Sequence, residues 1–145
     1  MSMPLSNHWL FWSLLSALFA GLTAVLAKAG VAHVNSHLAT AIRTSFVLVF
    51  TWGIALAAIR PDAILALSQR TWLLLALSGL ATGLSWLCYF RALQLGQASQ
   101  VAPIDKLSVV FVLLFAAWFL HEPLSLRSAL GGLAIVAGAI ALAWK

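Results

Sequence analysis

Five apolar stretches, each about as long as a bilayer is thick, occupy nearly the whole chain, at residues 9–27, 38–59, 71–90, 101–120 and 128–144. A hydrocarbon core of about 30 Å requires about 20 helical residues to cross it. The connections are short, and none is polar and long enough to form a soluble domain. Continuous apolar runs of this length predict helices, because barrel strands are about 10 residues long and alternate in polarity. The expected fold class is therefore all-α, a polytopic membrane protein of five transmembrane helices forming one domain over residues 1–145.

Composition supports this solvent assignment. Charged residues make up 8 % of the chain and hydrophobic residues 63 %, whereas about 25 % charged residues is usual in a soluble domain. The net charge is +5, but Lys28, Arg43, Arg60, Arg70, Arg91, Lys106, Arg127 and Lys145 are scattered singly. Nucleic-acid binders cluster such residues on one face, so no nucleic-acid partner is indicated. Scattered basic residues at helix ends anchor to membrane lipids instead. Cys88 is the single cysteine and lies in an apolar run, where it reads as a small packing residue. The opening residues MSMPLSNH carry no Lys or Arg, and the first apolar run exceeds a usual signal core, so no cleaved signal peptide is expected.

Local signals set the expected boundaries. The first helix should begin near His8, with Trp9 and Trp12 at interface depth. Asn35 or Ser36 is placed to cap the second helix. Arg60-Pro61-Asp62 breaks the chain, and residues 63–70 are expected to lie along the interface. Pro103 is expected in the first turn of the fourth helix, where it costs little. His121-Glu122-Pro123 should close that helix.

Five crossings put the termini on opposite sides. Arg60, Arg70 and Arg127 then oppose Lys28, Arg43, Arg91 and Lys145, with Lys106 near the second group. The excess of Lys and Arg belongs in cytoplasmic loops, and this bias is too small to fix a side. Insertion in both orientations would show such a balance; the alternative is that a few strongly placed residues decide.

The run Tyr89-Phe-Arg-Ala-Leu-Gln-Leu-Gly-Gln-Ala-Ser-Gln-Val-Ala-Pro103 resembles the third-to-fourth helix connection of the drug/metabolite transporter superfamily, in its EamA-type branch. Leu107-Ser108, Leu120-His121-Glu122-Pro123-Leu124-Ser125 and Gly131-Gly132 through Gly138 fit the same pattern, as do Ala27-Lys28-Ala29-Gly30 and Arg43. The resemblance covers essentially the whole chain. It implies a transporter built from one five-helix repeat where most relatives have two inverted ones. A second copy would then supply the missing half as a homodimer, with an antiparallel arrangement expected. A proline often found between the first helix and that arginine is absent, and His33 and Asn35 stand in its region. Residence in the plasma (inner) membrane follows from the same resemblance.

Asp105 and Lys106 are the sharpest chemical feature. A charge at membrane depth costs at least about 2.5–3.5 kcal/mol and marks a functional site by default. Adjacent helical residues diverge by about 100°, so Asp105 can face a cavity while Lys106 snorkels. Were the helix to begin at Pro103, both would sit among headgroups, with Asp105 favoured by the helix dipole. The resemblance gives Lys28 and Arg43 a cavity or gating role, with pairing to Asp105 expected. Trp86 and Tyr89 are three apart and share a helical face, suited to an interfacial belt or to stacking against a substrate.

Glu122 reads as a loop charge or cap. His33 and His37 have metal-like spacing only if helical, and Asn35-Ser36 predicts a turn, so no metal is expected. No Walker loop, Ser-His-Asp set or CxxC pair is present, and neither an enzyme nor a cofactor is indicated. Gly79 and Gly83, with Gly131, Ala134 and Gly138, form four-apart small-residue sets extended by Ala137 and Ala141, suited to close helix packing in lipid. The expected function is secondary transport of a small amphipathic metabolite or drug, export being favoured by the resemblance. The competing expectations are a lipid-carrier flippase or flippase subunit and a non-transporting scaffold subunit.

Overall fold

The computed structural model describes residues 9–60 and 62–144. A first helix starting near His8, Pro61 in the expected break and Lys145 as a terminal anchor lie outside the described residues. The elements in chain order are α1 (Trp9–Gly30), α2 (Ser36–Ala58), α3 (Asp62–Leu65), α4 (Gln69–Leu95), α5 (Ala98–Asp105), α6 (Ser108–Phe119) and α7 (Leu126–Ala143). Among the described residues, five segments are long and apolar enough to cross a bilayer: α1, α2, α4, α5 with α6 as one span, and α7.

The exposure pattern is inverted relative to a water-soluble fold. The buried hydrophobic residues are Ala24, Val31, Phe90, Leu93 and Ala139, while Trp9, Phe46, Leu95, Trp118 and Leu126 are among many large apolar side chains left open. Lipid covers such surface at no cost, so burial is not what holds these helices in their shape. Backbone hydrogen bonding is, because an unpaired amide in hydrocarbon costs several kcal/mol. Buried and exposed hydroxyls alike fold back onto their own helices. Ser13, Thr40, Thr44, Ser45, Thr51 and Thr82 each donate to a carbonyl four residues earlier.

Helix ends are capped by side chains. Asn35 caps α2 by accepting from the His37 amide, as its position predicts. Ser125 caps α7 by accepting from the Ser128 amide. Ser68 does the same for the Thr71 amide at the start of α4. The stretch expected along the interface contains the single turn α3 before α4 begins at Gln69. The His121 backbone is left-handed, with φ of 54°, and the Glu122 amide reaches back to the Ala116 carbonyl. That arrangement closes α6 immediately ahead of Pro123.

The chain forms two compact units. The first is Gly30–Gln94, holding α2, α3 and most of α4. Among its described residues, Val31, Ser36, Thr40, Phe90 and Leu93 are buried. The Gln94 amide nitrogen donates to the Val31 and Val34 carbonyls, satisfying the turn that precedes α2.

The second unit holds α1 and the chain from Leu95 onward. Here α7 packs against both α5 and α6. Close approach is concentrated at Gly132, where an added Cβ would stand 3.1 Å from Leu113 Cδ1. Gln100 reaches across to the Ala143 carbonyl at the end of α7. At Gly131 and Gly138 an added Cβ meets nothing within 4 Å, so these two glycines stand on an open part of the α7 surface.

This difference between neighbouring glycines is testable. Gly132→Leu overpacks a closed contact, an error that costs about 1–3 kcal/mol, and should lower the thermal unfolding midpoint in detergent by several degrees. Gly131→Leu should leave that midpoint unchanged. Equal behaviour of the two variants would contradict the packing described.

Candidate functional site

Arg43 and two aromatic side chains, Trp86 and Phe90, meet between α2 and α4 in the first unit. Arg43 lies in the third turn of α2, and its guanidinium carbon sits 4.2 Å from the centre of a Trp86 ring and 5.6 Å from that of Phe90. Trp86 and Phe90 are four apart on α4 and so stand one above the other. Both distances are within cation–π range. Tyr89, on the same helix, is within electrostatic reach of Arg43. Three of the residues singled out by sequence, Arg43, Trp86 and Tyr89, are thus brought together.

A groove of about 400 Å³ runs away from this stack. Its walls are Thr44, Val47, Leu48 and Thr51 from α2, and Leu75, Ser78, Gly79, Thr82, Gly83 and Trp86 from α4. Helical rise puts these residues in the middle of both helices, over roughly 16 Å of α4. A groove of this size falls within the range of about 300–1,000 Å³ typical of small-molecule sites. Thr44, Thr51 and Thr82 already donate to their own helices. They therefore present methyl groups and an acceptor oxygen, and the groove is less polar than its hydroxyl count suggests.

Gly79 and Gly83 were expected to serve close packing; they line this groove, and an added Cβ at either would meet nothing within 4 Å. Within the first unit their missing side chains keep space open. Sequence reading did not single out Thr44, Thr51, Ser78, Thr82 or Phe90. A signal existed: Ser78, Thr82 and Trp86 recur every four residues beside Gly79 and Gly83.

Asp105 and Lys106 lie in the second unit, at an interruption of the fourth span. The helix begins at Ala98, five residues before Pro103, so the proline is interior and not in the first turn as expected. Having no N–H, Pro103 leaves the Ser99 carbonyl without its helical donor. After it the backbone tightens. The amides of Leu107, Val109 and Val110 donate to carbonyls only three residues back, those of Ile104, Lys106 and Leu107. Asp105 closes α5, roughly 10 Å along the span from Ala98.

Asp105 Oδ2 and Lys106 Nζ are 3.4 Å apart, with side chains 35 % and 57 % exposed respectively. The expected partners of Asp105 were Lys28 or Arg43. Arg43 faces the rings already described, and Lys28 Nζ donates to the Gly96 carbonyl at 2.7 Å, serving the turn that follows α4. An apolar depression of about 550 Å³ lies near the break, lined by Ile104, Ile140, Ala143 and Trp144 and by neither charged residue.

The stack has a measurable energy. Cation–π contacts contribute about 0.5–1 kcal/mol when exposed and about 2 or more when desolvated. A double-mutant cycle with Arg43→Gln and Trp86→Leu, read by unfolding in detergent, should give a coupling of about 1 kcal/mol. Strictly additive effects would show that the two side chains do not interact.

Residues 7–144 match the model of the EamA-like transporter family. An uncharacterized transporter from the cobO 3' region of Sinorhizobium sp. is 55 % identical over 139 residues, covering 96 % of this chain and 99 % of that protein. A probable 4-amino-4-deoxy-L-arabinose-phosphoundecaprenol flippase subunit ArnE from Enterobacter sp. (strain 638) is 38 % identical over 74 residues, 51 % of this chain and 69 % of the relative. Its counterpart from Erwinia tasmaniensis is 44 % identical over 68 residues, 46 % of this chain and 63 % of the relative. No solved structure matches the chain.

Proposed function

Because the chain belongs to the EamA-like transporter family, we propose that this multi-pass membrane protein is a secondary-active exporter of a small amphipathic solute, working as a homodimer by alternating access. The observation that carries the reading is the mid-helix groove between α2 and α4, with Arg43, Trp86 and Phe90 at its end. A largely apolar groove with a few placed polar groups and one cation suits a solute with an apolar body and a polar end.

Asp105 is assigned the coupling role. It is the acid within a spanning segment of the described chain, and it stands where the helix is interrupted. Irregular backbone at membrane depth is tolerated where it is buried in protein or lines a cavity, and interrupted helices commonly carry the substrate or coupling ion in transporters. Asp105 is paired with Lys106 at 3.4 Å, and making or breaking that pair gives two states for one rocking motion. Lys28 braces the turn at Gly96 that leads into α5.

The homodimer is supported by the surface of α7 on which Gly131 and Gly138 stand without neighbours. Small residues let helices approach closely in lipid, where packing replaces the hydrophobic drive. The weak Lys/Arg bias favours an antiparallel pair. A lipid-carrier flippase is the second reading, favoured by the likeness to the ArnE subunits and by the groove's open side.

In proteoliposomes loaded with a pH-sensitive dye, a panel of small amphipathic solutes should include at least one that drives proton movement through the wild type. Asp105→Asn should abolish that movement and leave the dimer intact. Proton movement equal to wild type in the variant would remove Asp105 from coupling. A panel without effect on the wild type would overturn proton-coupled transport.

Gly138→Leu should weaken the dimer at least severalfold, read by cross-linking across a dilution series in detergent, without lowering protomer stability. C-terminal tags should be found on both membrane faces. A tag confined to one face would rule out the antiparallel pair.

A further inference from the structure

We infer that the groove between α2 and α4 selects an anionic amphiphile, its phosphate or carboxylate held by the edge of the Arg43 guanidinium and its slender tail laid along the walls toward Leu75. The inference rests on the reading of this groove as the substrate surface and adds the sign and orientation of the ligand.

The argument starts from what covers Arg43 and what does not. The Arg43 guanidinium carbon lies 4.2 Å from the centre of the Trp86 ring and 5.6 Å from that of Phe90. A guanidinium carries five N–H donors in a fixed fork, and contact with ring faces supplies none of them with a lone-pair acceptor. Among the described residues, the ion pair is between Asp105 and Lys106, and Arg43 has an aromatic pair where a carboxylate would otherwise neutralise it. Its positive charge is therefore uncompensated at the mouth of an apolar groove. The planar fork matches the oxygen pairs of phosphate or carboxylate, which a point charge such as lysine does not.

The walls supply the second half. Between Trp86 and Leu75 the lining is apolar or methyl-bearing apart from Ser78, and the threonine donors are already used within their helices. No charged side chain lines the groove, so a second charge on the tail would find no ionic partner. Gly79 and Gly83 leave room for the occupant to run close to the α4 backbone. A cationic amphiphile would meet Arg43 with like charge. A neutral one would leave the guanidinium edge unused.

The test uses the full chain in phosphatidylcholine nanodiscs and dodecyl probes carrying a bromine on the tail carbon nearest the head group, which quenches tryptophan on contact. The heads are phosphate, neutral hydroxyl and trimethylammonium. Trp86→Phe identifies the share of the signal that belongs to Trp86. The phosphate probe should quench that share saturably and in preference to the other two. Arg43→Gln should weaken phosphate binding about tenfold or more, as expected for loss of a charge-assisted hydrogen bond. Arg43→Lys should keep part of the affinity, which guards against misreading a misfolded Gln variant. Gly83→Leu fills open space and should block all probes while the circular dichroism stays helical.

Nanodiscs containing phosphatidic acid separate the two sources of such an anion. Competition by that lipid against the phosphate probe identifies a bilayer lipid as the occupant; binding of the added probe undisturbed by it identifies a free amphiphile. Equal affinity for all three heads with no effect of Arg43→Gln would overturn the anion selectivity while leaving the groove as a binding surface. No saturable quenching by any head, in wild type as in Gly83→Leu, would overturn the groove itself.

Discussion

The structure depends on one constraint: within hydrocarbon, every backbone amide and carbonyl must find its partner inside the protein. Almost every feature of the chain is a consequence. Spanning segments are helical because a helix closes its own hydrogen bonds. Threonine and serine hydroxyls, which lipid cannot satisfy, return to carbonyls one turn earlier. The connections, where helices must end, draw on Asn35, Ser68, Gln94, Ser125 and Lys28 for side-chain partners. A chain so poor in polar residues uses most of those it has for this purpose.

Departures from the rule then become informative. The interruption between α5 and α6 is the place where a spanning helix gives up its regular ladder, and it coincides with the Asp105–Lys106 pair. Arg43 is the other exception. Its guanidinium rests on two rings, where the cost of taking a cation into a low-dielectric medium is offset by the quadrupoles of Trp86 and Phe90.

The five spans were legible because bilayer thickness imposes a length on apolar runs, and the cap at Asn35 was legible because only a few side chains can accept from a helix's first amides. Boundaries were harder for a specific reason. Hydropathy marks where lipid ends, not where the helix does. The third span was expected to end at Phe90, yet α4 continues to Leu95, since Arg91 and Gln94 are polar but good helix formers. In the same way α5 starts at Ala98, three residues before the apolar run, which moves Pro103 from the helix start to its interior. The stack of Arg43 on Trp86 was not legible. Its partners are far apart in sequence, and their meeting depends on the rotation of α2 against α4, which no local pattern encodes.

A cation can be kept in a membrane protein by a carboxylate or by an aromatic surface, and the two choices leave different residues of charge. A carboxylate neutralises its partner, so the Lys106–Asp105 pair presents little net field. An aromatic stack lowers the energy of the cation without cancelling it. Arg43 therefore keeps its charge beside the groove, whereas that of Asp105 is offset by its neighbour. The two arrangements lie in different units, α2 with α4 and α5 with α6. On the proposed reading the first would recognise the solute and the second would couple its movement to an ion, so substitutions at Arg43 and at Asp105 should alter the two separately.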